Sequence, residues 1–254
     1  MSRTPFSRRR LLRVGALGAG GLLLPGCDRL NQSRGFRSAI EGMDRWHDTS
    51  QRLIGRDALA REYAVSQMSP VFRTNGNTAA ADPAFLAHAA EGFARWTLAV
   101  DGLVERTLAL PLSALKALPQ RVQITRHDCV EGWSAIGMWQ GPQLASVLAM
   151  AGLMPQARYI VFHCADSFGA TPYYESIDRA DAFHPQTILA WRMNGRPLET
   201  GHGAPLRLRL ERQLGYKQAK FINRIEARAS LSGLYGGKGG YWEDASGYQW
   251  YAGT

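Results

Sequence analysis

Cysteine is scarce in this 254-residue sequence, which contains only three, at positions 27, 129 and 164. Three cysteines are too few for a disulfide-stapled scaffold, and no two lie close enough for a zinc knuckle. The sequence also lacks a Cys-x-x-Cys-His haem motif and a set of iron–sulfur ligands. No apolar run reaches the roughly 20 residues of a transmembrane helix, which excludes a polytopic membrane protein.

Acidic residues are absent from the first 27 positions, which carry five arginines. More than half of the net charge of +9 therefore lies in this segment. The excess on the remaining chain is too modest to indicate a nucleic-acid-binding protein, and we expect no nucleic-acid partner. A hydrophobic fraction of 45% with 20% charged residues predicts an ordinary globular core rather than a fibrous or disordered chain.

Residues 1–27 have the pattern of an export signal. Ser7 to Arg13 resembles a twin-arginine signal, and a short apolar, glycine-rich stretch follows it. Leu24-Pro25-Gly26-Cys27 resembles a lipobox, which makes Cys27 a candidate lipidated membrane anchor. The alternative is a disordered basic tail. We expect export to the periplasm by the twin-arginine machinery, a route that carries folded proteins, commonly around a cofactor.

The remaining chain predicts an α+β fold with mixed β-structure and short helices. Residues 28–71 are predicted to form a helical extension, with helices over 39–55 and 59–65, and residues 72–254 a single domain. Short strand patterns alternate with short helix patterns, without the strand–helix repeat of a doubly wound sheet. In residues 205–211 three leucines alternate with Arg207, Arg209 and Glu211, as in a half-buried strand. Taken alone, this alternation favours a solvated face for both arginines.

Cys129 follows a predicted strand in the segment Arg126-His127-Asp128-Cys129-Val130-Glu131-Gly132-Trp133-Ser134. Three interpretations are open from local chemistry. Cys129 could form a disulfide with Cys164, since an exported protein meets an oxidising compartment. It could be an inert buried thiol, or it could be a metal ligand or nucleophile whose pKa is lowered by the neighbouring Arg126.

This segment resembles the cysteine segment of sulfite-oxidase-like molybdopterin enzymes, and within them the protein-methionine-sulfoxide reductases. A second block of similarity covers residues 201–207 and 215–220, and the resemblance extends from about Phe72 to Ala227. It implies a sulfite-oxidase-like molybdopterin-binding domain over residues 72–254 and a molybdenum-molybdopterin cofactor.

By this resemblance Cys129 is the catalytic residue and supplies a protein sulfur to molybdenum, which leaves no thiol for a disulfide with Cys164. The pterin phosphate requires cations and backbone N–H groups around it. The residues that the resemblance assigns to the cofactor are Arg73, Asn75, Cys164, His202, Arg207, Gln218, Ala219 and Lys220.

The remaining histidines and the C-terminal aromatic residues carry weaker signals. The histidines at positions 47, 88, 127, 163 and 184 lack ligand spacing, and we expect structural or solvated roles for them. Residues 236–240 are glycine-rich without a P-loop or dinucleotide pattern and predict a plain loop. The aromatic residues behind them are more often packing than substrate wall, although Trp133, Tyr241 or Trp242 could supply an apolar wall.

The predicted function is that of an exported oxidoreductase transferring an oxygen atom at a sulfur centre, most simply sulfoxide reduction. Without a haem or iron–sulfur motif, it needs a separate redox partner, which the resemblance implies is a haem-bearing membrane protein or a soluble cytochrome. The alternatives are a sulfite dehydrogenase and a non-catalytic lipoprotein scaffold. Only residues 228–254 follow Ala227, too few for the roughly 100-residue immunoglobulin-like dimerisation domain of typical sulfite oxidases, so we expect a monomer.

Overall fold

A computed structural model describes residues 32–36, 38, 43 and 57–254 of the chain. The chain divides into two compact units, Met1–Arg56 and Asp57–Thr254, and the described strands all belong to the second. In the first unit residues 32, 34–36, 38 and 43 are helical. The export signal, Cys27 and, apart from residue 43, the predicted helix over 39–55 lie outside the described residues. In the part that is described, no helix is both long and apolar enough to span a membrane.

Residues 59–65 do not form the predicted helix. They are mostly irregular, with an isolated β-bridge at Glu62 and a 3-10 turn that begins at Val65. Glu62 forms an isolated bridge with Thr125, and Tyr63 N–H donates to the Ile124 carbonyl at 2.9 Å. This pairing satisfies backbone groups at a sheet edge, which outweighs the weak helical periodicity of so short a segment. The compact second unit therefore includes this segment and begins at Asp57.

Eleven strands form three sheets in the described part of the chain. The sheets have the orders β2-β1-β11-β5-β6, β3-β4-β8-β9 and β10-β7. The strands are β1 (Thr97–Gly102), β2 (Leu108–Pro111), β3 (Gln120–Cys129), β4 (Trp133–Pro142), β5 (Tyr159–Phe168), β6 (Thr171–Asp178), β7 (Ile188–Ala190), β8 (Arg192–Met193), β9 (Arg196–Pro197), β10 (Arg207–Arg209) and β11 (Ile222–Arg228).

Five short α-helices connect these strands within residues 57–254. They are α1 (Pro83–Ala90), α2 (Leu112–Ala117), α3 (Leu144–Ala151), α4 (Arg179–Ala182) and α5 (Tyr241–Ser246). Helix α1 is capped at its N-terminus by Asp82, whose carboxylate accepts a hydrogen bond from Phe85 N–H at 2.7 Å. Helix α3 ends at Gly152, whose φ of 71° is the left-handed conformation that glycine adopts readily. The α+β class with short helices is confirmed.

The five-stranded sheet holds the main hydrophobic core. Strands β1 and β11 pair in parallel, and β11 pairs antiparallel with β5. Fully buried side chains such as Leu98, Ile160 and Ile225 pack on this sheet with the apolar residues of α3. This rigid layer fixes the ends of β5 and β11, from which several of the candidate site residues project.

The β3–β4 hairpin and strand β10 bring the two similar sequence blocks together. Strands β3 and β4 pair along their whole length, and the hairpin turn places Cys129 opposite Trp133. Gly141 on β4 lies so close to β7 that an added Cβ would overlap the Leu189 carbonyl. Strand β7 also pairs with β10, which carries Arg207 and Arg209. The close packing of β4 on β7 therefore buries these two arginines between the hairpin and the main sheet.

Candidate functional site

Cys129 lies at the end of β3 beside a cavity of about 180 Å³. Its side chain is buried, with 7% of the residue exposed. One side of the cavity is polar and is formed by Asn75, Cys129, Glu131, Asp166, Gln218 and Lys220. The other side is aromatic and is formed by Phe168, Tyr173, Tyr216, Trp242 and Tyr248.

The prediction that Arg126 lowers the pKa of Cys129 is wrong. Successive side chains of a strand point to opposite faces, so Arg126 and Cys129, three residues apart, face opposite ways. Arg126 is exposed and pairs with Asp128, Nε to Oδ2, at 2.9 Å. Burial raises the pKa of the Cys129 thiol; a backbone hydrogen bond at Glu131 and the charges of Arg207 and Lys220 act in the opposite direction.

Arg207 is a fully buried guanidinium without a carboxylate partner among the described residues. Its Nη1 donates to the His202 carbonyl at 3.3 Å and its Nη2 to Asn75 Oδ1 at 3.4 Å, both long hydrogen bonds. Its Nε has no partner within the described part of the chain. Burial and the neighbouring Arg209 lower the pKa of Arg207 to about 9. The interpretation of Arg207 and Arg209 as a solvated face is therefore wrong.

Arg209, two residues further along the same strand, is a buried cation with a carboxylate partner. It is also fully buried, but the Glu211 carboxylate accepts from its Nε at 3.0 Å and from its Nη2 at 2.5 Å. Its guanidinium stacks 4.1 Å from the Trp139 ring centroid. The fold therefore supplies a carboxylate to Arg209 and leaves Arg207 to carbonyl and amide oxygens.

Lys220 is a second buried cation, and its hydrogen-bond partners in residues 57–254 are all neutral carbonyl oxygens. Its Nζ donates to the carbonyls of Asn75 at 2.6 Å and Gly201 at 3.1 Å, and also to that of Asn77. Burial and the charge of Arg207 lower the pKa of Lys220 to about 7. The carboxylates of Asp166 and Glu131 act on the pKa of Lys220 only through space and in the opposite direction. Two neighbouring cations without a directly paired carboxylate among the described residues are costly to bury, and an anionic ligand would relieve that cost.

The other residues assigned by resemblance fall into two groups. Asn75 and Gln218 line the cavity directly. His202 and Ala219 are behind the wall: the His202 carbonyl accepts from Arg207, and the Ala219 carbonyl accepts from Leu208 N–H at 2.8 Å. His202 Nδ1 is buried without a partner among the described residues, and burial lowers the pKa of His202.

Arg73 and Cys164 do not reach the cavity. Arg73 is exposed and lies outside the cavity lining. From its loop, Asn75, Gly76 and Asn77 line the cavity. Cys164 is buried on β5 and faces a separate recess that it shares with Asp166. Cys129 and Cys164 are both free thiols, so the disulfide alternative is wrong.

The structure also places residues at the site that the sequence analysis missed. Asp166 lines both the cavity and the recess, accepts from Asn77 Nδ2 at 2.9 Å, and has its buried Oδ1 unpaired among the described residues. Its only signal in the sequence is its position two residues after Cys164. His127 is fully buried behind Gly215, with Nδ1 3.1 Å from Arg209 Nη1 and 3.3 Å from Gln218 Oε1.

The C-terminal aromatic residues both pack and line the cavity. Trp242 and Tyr248 stack with ring centroids 5.8 Å apart and contribute to the aromatic side. Trp133 and Tyr241, the other candidates for an apolar wall, lie outside the cavity lining. Trp133 instead packs edge-on against Phe72, with ring centroids 5.9 Å apart.

The residues present fit a molybdopterin cofactor. The Cys129 thiol and two cations without a paired carboxylate, Arg207 and Lys220, lie at or behind one wall of the cavity. Three buried polar atoms near them have no partner among the described residues: Arg207 Nε, Asp166 Oδ1 and His202 Nδ1. A thiolate suits molybdenum, and the cations suit a terminal phosphate. A polar, phosphorylated ligand can supply hydrogen-bond partners to these buried atoms.

Comparisons with known proteins agree with this geometry. Residues 86–234 match the family model described as oxidoreductase molybdopterin binding domain. A putative protein-methionine-sulfoxide reductase subunit YedZ1 from Azospira oryzae is 37% identical over 97% of this chain and 88% of its own length. The catalytic subunit MsrP of a protein-methionine-sulfoxide reductase from Gluconobacter oxydans is 35% identical over 51% of this chain. The chain spans about half the length of that second relative, 46%.

A solved structure, the sulfane dehydrogenase SoxCD from Paracoccus pantotrophus, aligns with 54% of this chain and 39% of its own chain, at 21% identity and a TM-score of 0.49. The family model covers more than half of the sequence and includes both blocks on which the resemblance depends. The resemblance to molybdopterin-dependent oxidoreductases is therefore confirmed, together with the molybdenum-molybdopterin cofactor. The chain belongs to the family of oxidoreductase molybdopterin-binding domains and is a sulfoxide reductase-like, molybdopterin-dependent oxidoreductase.

Proposed function

We propose that this protein reduces a sulfoxide to a thioether, with two electrons and two protons consumed and one water released. The observation that carries the proposal is the division of the cavity into a polar side with Cys129 and Lys220 and an aromatic side. The names of the two curated relatives support sulfoxide reduction.

Cys129 would supply the protein sulfur to molybdenum, and Arg207 and Lys220 would hold the terminal phosphate of the pterin. Bound there, the cofactor supplies oxygen-atom transfer and two-electron chemistry. Asn75 already accepts a hydrogen bond from Arg207 and offers its amide to the cavity. Gln218 is fixed by donating Nε2 to the Leu210 and Gln213 carbonyls at 3.3 and 3.1 Å. These fixed groups orient the ligand without reorganisation.

The charge distribution favours a neutral substrate over sulfite. A sulfite dianion needs several cations converging on one point. Of the two arginines considered for this role, Arg126 is paired with Asp128 and Arg73 is exposed outside the lining. The lining contributes Lys220 together with the carboxylates of Glu131 and Asp166. A neutral sulfoxide needs only a donor for its oxygen and an apolar surface, which the aromatic side provides.

A pure scaffold is disfavoured by the two uncompensated cations. Without an anion in the cavity, burial of Arg207 and Lys220 contributes only a cost to folding. Electrons would come from a separate redox partner, either a haem-bearing membrane protein or a soluble cytochrome. This part of the proposal follows from the absence of haem and iron–sulfur motifs in the sequence.

We also propose that the protein acts in the periplasm after twin-arginine export, with Cys27 as a candidate lipid anchor. Replacing both Arg8 and Arg9 by lysine should retain the uncleaved precursor in the cytoplasm, as measured by cell fractionation and immunoblotting. An Arg3→Lys variant is the matched control, since Arg3 lies outside the motif. Normal periplasmic accumulation of the double variant would contradict the proposed route.

Arg207→Ala and Lys220→Ala should each lower the molybdenum content of the purified protein. Each change removes charge-assisted hydrogen bonds worth roughly 1.5–3 kcal/mol, so the affinity for the cofactor should fall by about tenfold or more. Elemental analysis against protein concentration gives the occupancy. The exposed Arg196→Ala and Lys238→Ala variants are the controls, and full occupancy in the Arg207 and Lys220 variants would refute the phosphate contacts.

The purified, molybdenum-loaded protein should reduce methionine sulfoxide with a reduced viologen as electron donor, and should oxidise sulfite poorly or not at all. Steady-state assays of both reactions on one preparation provide the test. Efficient sulfite oxidation without sulfoxide turnover would instead establish the sulfite dehydrogenase alternative.

A Cys129→Ser variant should lose turnover, because the harder oxygen ligand changes the metal centre.

A further inference from the structure

A fully buried ion cluster lies behind the cavity and is formed by Lys217, Glu175 and Glu243. Lys217 Nζ lies 2.5 Å from Glu243 Oε1 and forms a second ion pair with Glu175 Oε2. The three side chains come from separate elements: the 3-10 turn Gly215–Lys217, strand β6 and helix α5. None of the three lines the cavity.

Each member of the cluster is close in sequence to a residue on the aromatic side of the cavity. Tyr216 precedes Lys217, Trp242 precedes Glu243, and Tyr173 precedes Glu175 by two residues, on the same face of β6. The Tyr173 hydroxyl also donates to the Tyr216 carbonyl at 2.6 Å. One ion cluster therefore ties together the three segments that form the aromatic side.

The cluster contains two carboxyl groups and one ammonium, and the two carboxyl groups converge over Gly240. An added Cβ at Gly240 would overlap both Glu175 Oε1 and Glu243 Oε2. Burial, and then the charge of Glu243, raise the pKa of Glu175 well above its usual range, against the attraction of Lys217. Although burial alone would lower it, the two carboxylates raise the pKa of Lys217. A protonated Glu175 beside a Lys217–Glu243 ion pair leaves the buried cluster without net charge.

Helix α5 is held by two sets of polar contacts: the ion cluster through Glu243, and hydrogen bonds that Asp244 accepts from the Tyr174 hydroxyl and from the N–H groups of Gly236 and Lys238. It has six residues and is preceded by Gly240 and followed by Gly247. A helix this short has little stability of its own and takes its position from tertiary contacts. Trp242 faces the cavity from this helix and contacts Phe168, with ring centroids 5.1 Å apart. Glu243 is the only residue of α5 that is fully buried in the structure as described.

We propose that Lys217, Glu175 and Glu243 are positioning residues that hold Trp242 at the cavity and so shape the surface on which the apolar substituent of a sulfoxide packs. This inference rests on the proposed function for its substrate. The cluster is a fixed clamp between the turn that carries Tyr216 and the helix that carries Trp242. It does not touch the substrate or the cofactor.

The test uses Glu243→Ala in the full-length, molybdenum-loaded protein. The variant leaves Lys217 with Glu175 as its counterion, so no charge is left unpaired. KM for methionine sulfoxide should rise about tenfold while kcat changes less than about twofold, because ground-state and transition-state contacts with the wall are lost together. Molybdenum content should stay at the wild-type level.

A double-mutant cycle separates positioning from general destabilisation. If Glu243 acts through Trp242, Glu243→Ala should produce no further rise of KM in a Trp242→Ala background. Effects that multiply would overturn the proposal. Asp101→Asn is the matched control, since Asp101 forms a part-exposed ion pair with Arg224 away from the cavity. It should leave both kinetic parameters unchanged.

Hydrogen exchange provides a readout that needs no turnover. Glu243→Ala should speed amide exchange in residues 241–246 selectively, whereas Glu175→Gln, which mimics the protonated carboxyl, should retain protection there. Unchanged exchange in the Glu243→Ala variant, or acceleration spread over the whole domain, would contradict the clamp. If the wild-type protein fails to reduce sulfoxides, the proposed function fails, and the exchange result alone then decides on the clamp.

Discussion

The organisation of this site depends on the burial of Arg207 and Lys220 without a protein anion. Arg207 has no exposed surface, and within the described part of the chain it donates to the His202 carbonyl and the Asn75 amide oxygen alone. Lys220 is bound by three carbonyls. A fold tolerates two adjacent uncompensated cations when a ligand supplies the negative charge. An anionic ligand bound at this pair would therefore couple its own binding to the folding stability of the protein.

The same strand shows that the missing counterion is specific to one position. Arg209 is equally buried but is neutralised by Glu211 and stacked on Trp139. It also contacts His127, which lies behind Gly215 at the cavity wall. Further out, Lys217 is balanced by Glu175 and Glu243. Arg209 and Lys217, which have carboxylate partners, thus stabilise the structure around the cavity. Arg207 and Lys220, which have none among the described residues, are the cations that an anionic ligand would neutralise.

The sequence predicted the fold class and the chemistry better than it predicted the surroundings of each residue. The Cys129 segment and the block around Arg207 indicated the family, because their spacing is tied to one cofactor. The solvated face for Arg207 and Arg209 was wrong, because alternation shows that a strand has two faces but not that both are covered. Arg126 was misplaced because proximity in sequence is not proximity across a strand. Asp166 and the Lys217 cluster depend on contacts between distant segments, which a single sequence does not reveal.

The central claim is that the Cys129 thiolate binds molybdenum beside the Arg207–Lys220 pair. X-ray absorption at the molybdenum edge, on wild-type protein and on the Cys129→Ser variant at matched molybdenum content, tests it most directly. The account predicts that the variant has one sulfur ligand fewer than the wild type and one additional oxygen ligand. Identical sulfur coordination in the two proteins would contradict it.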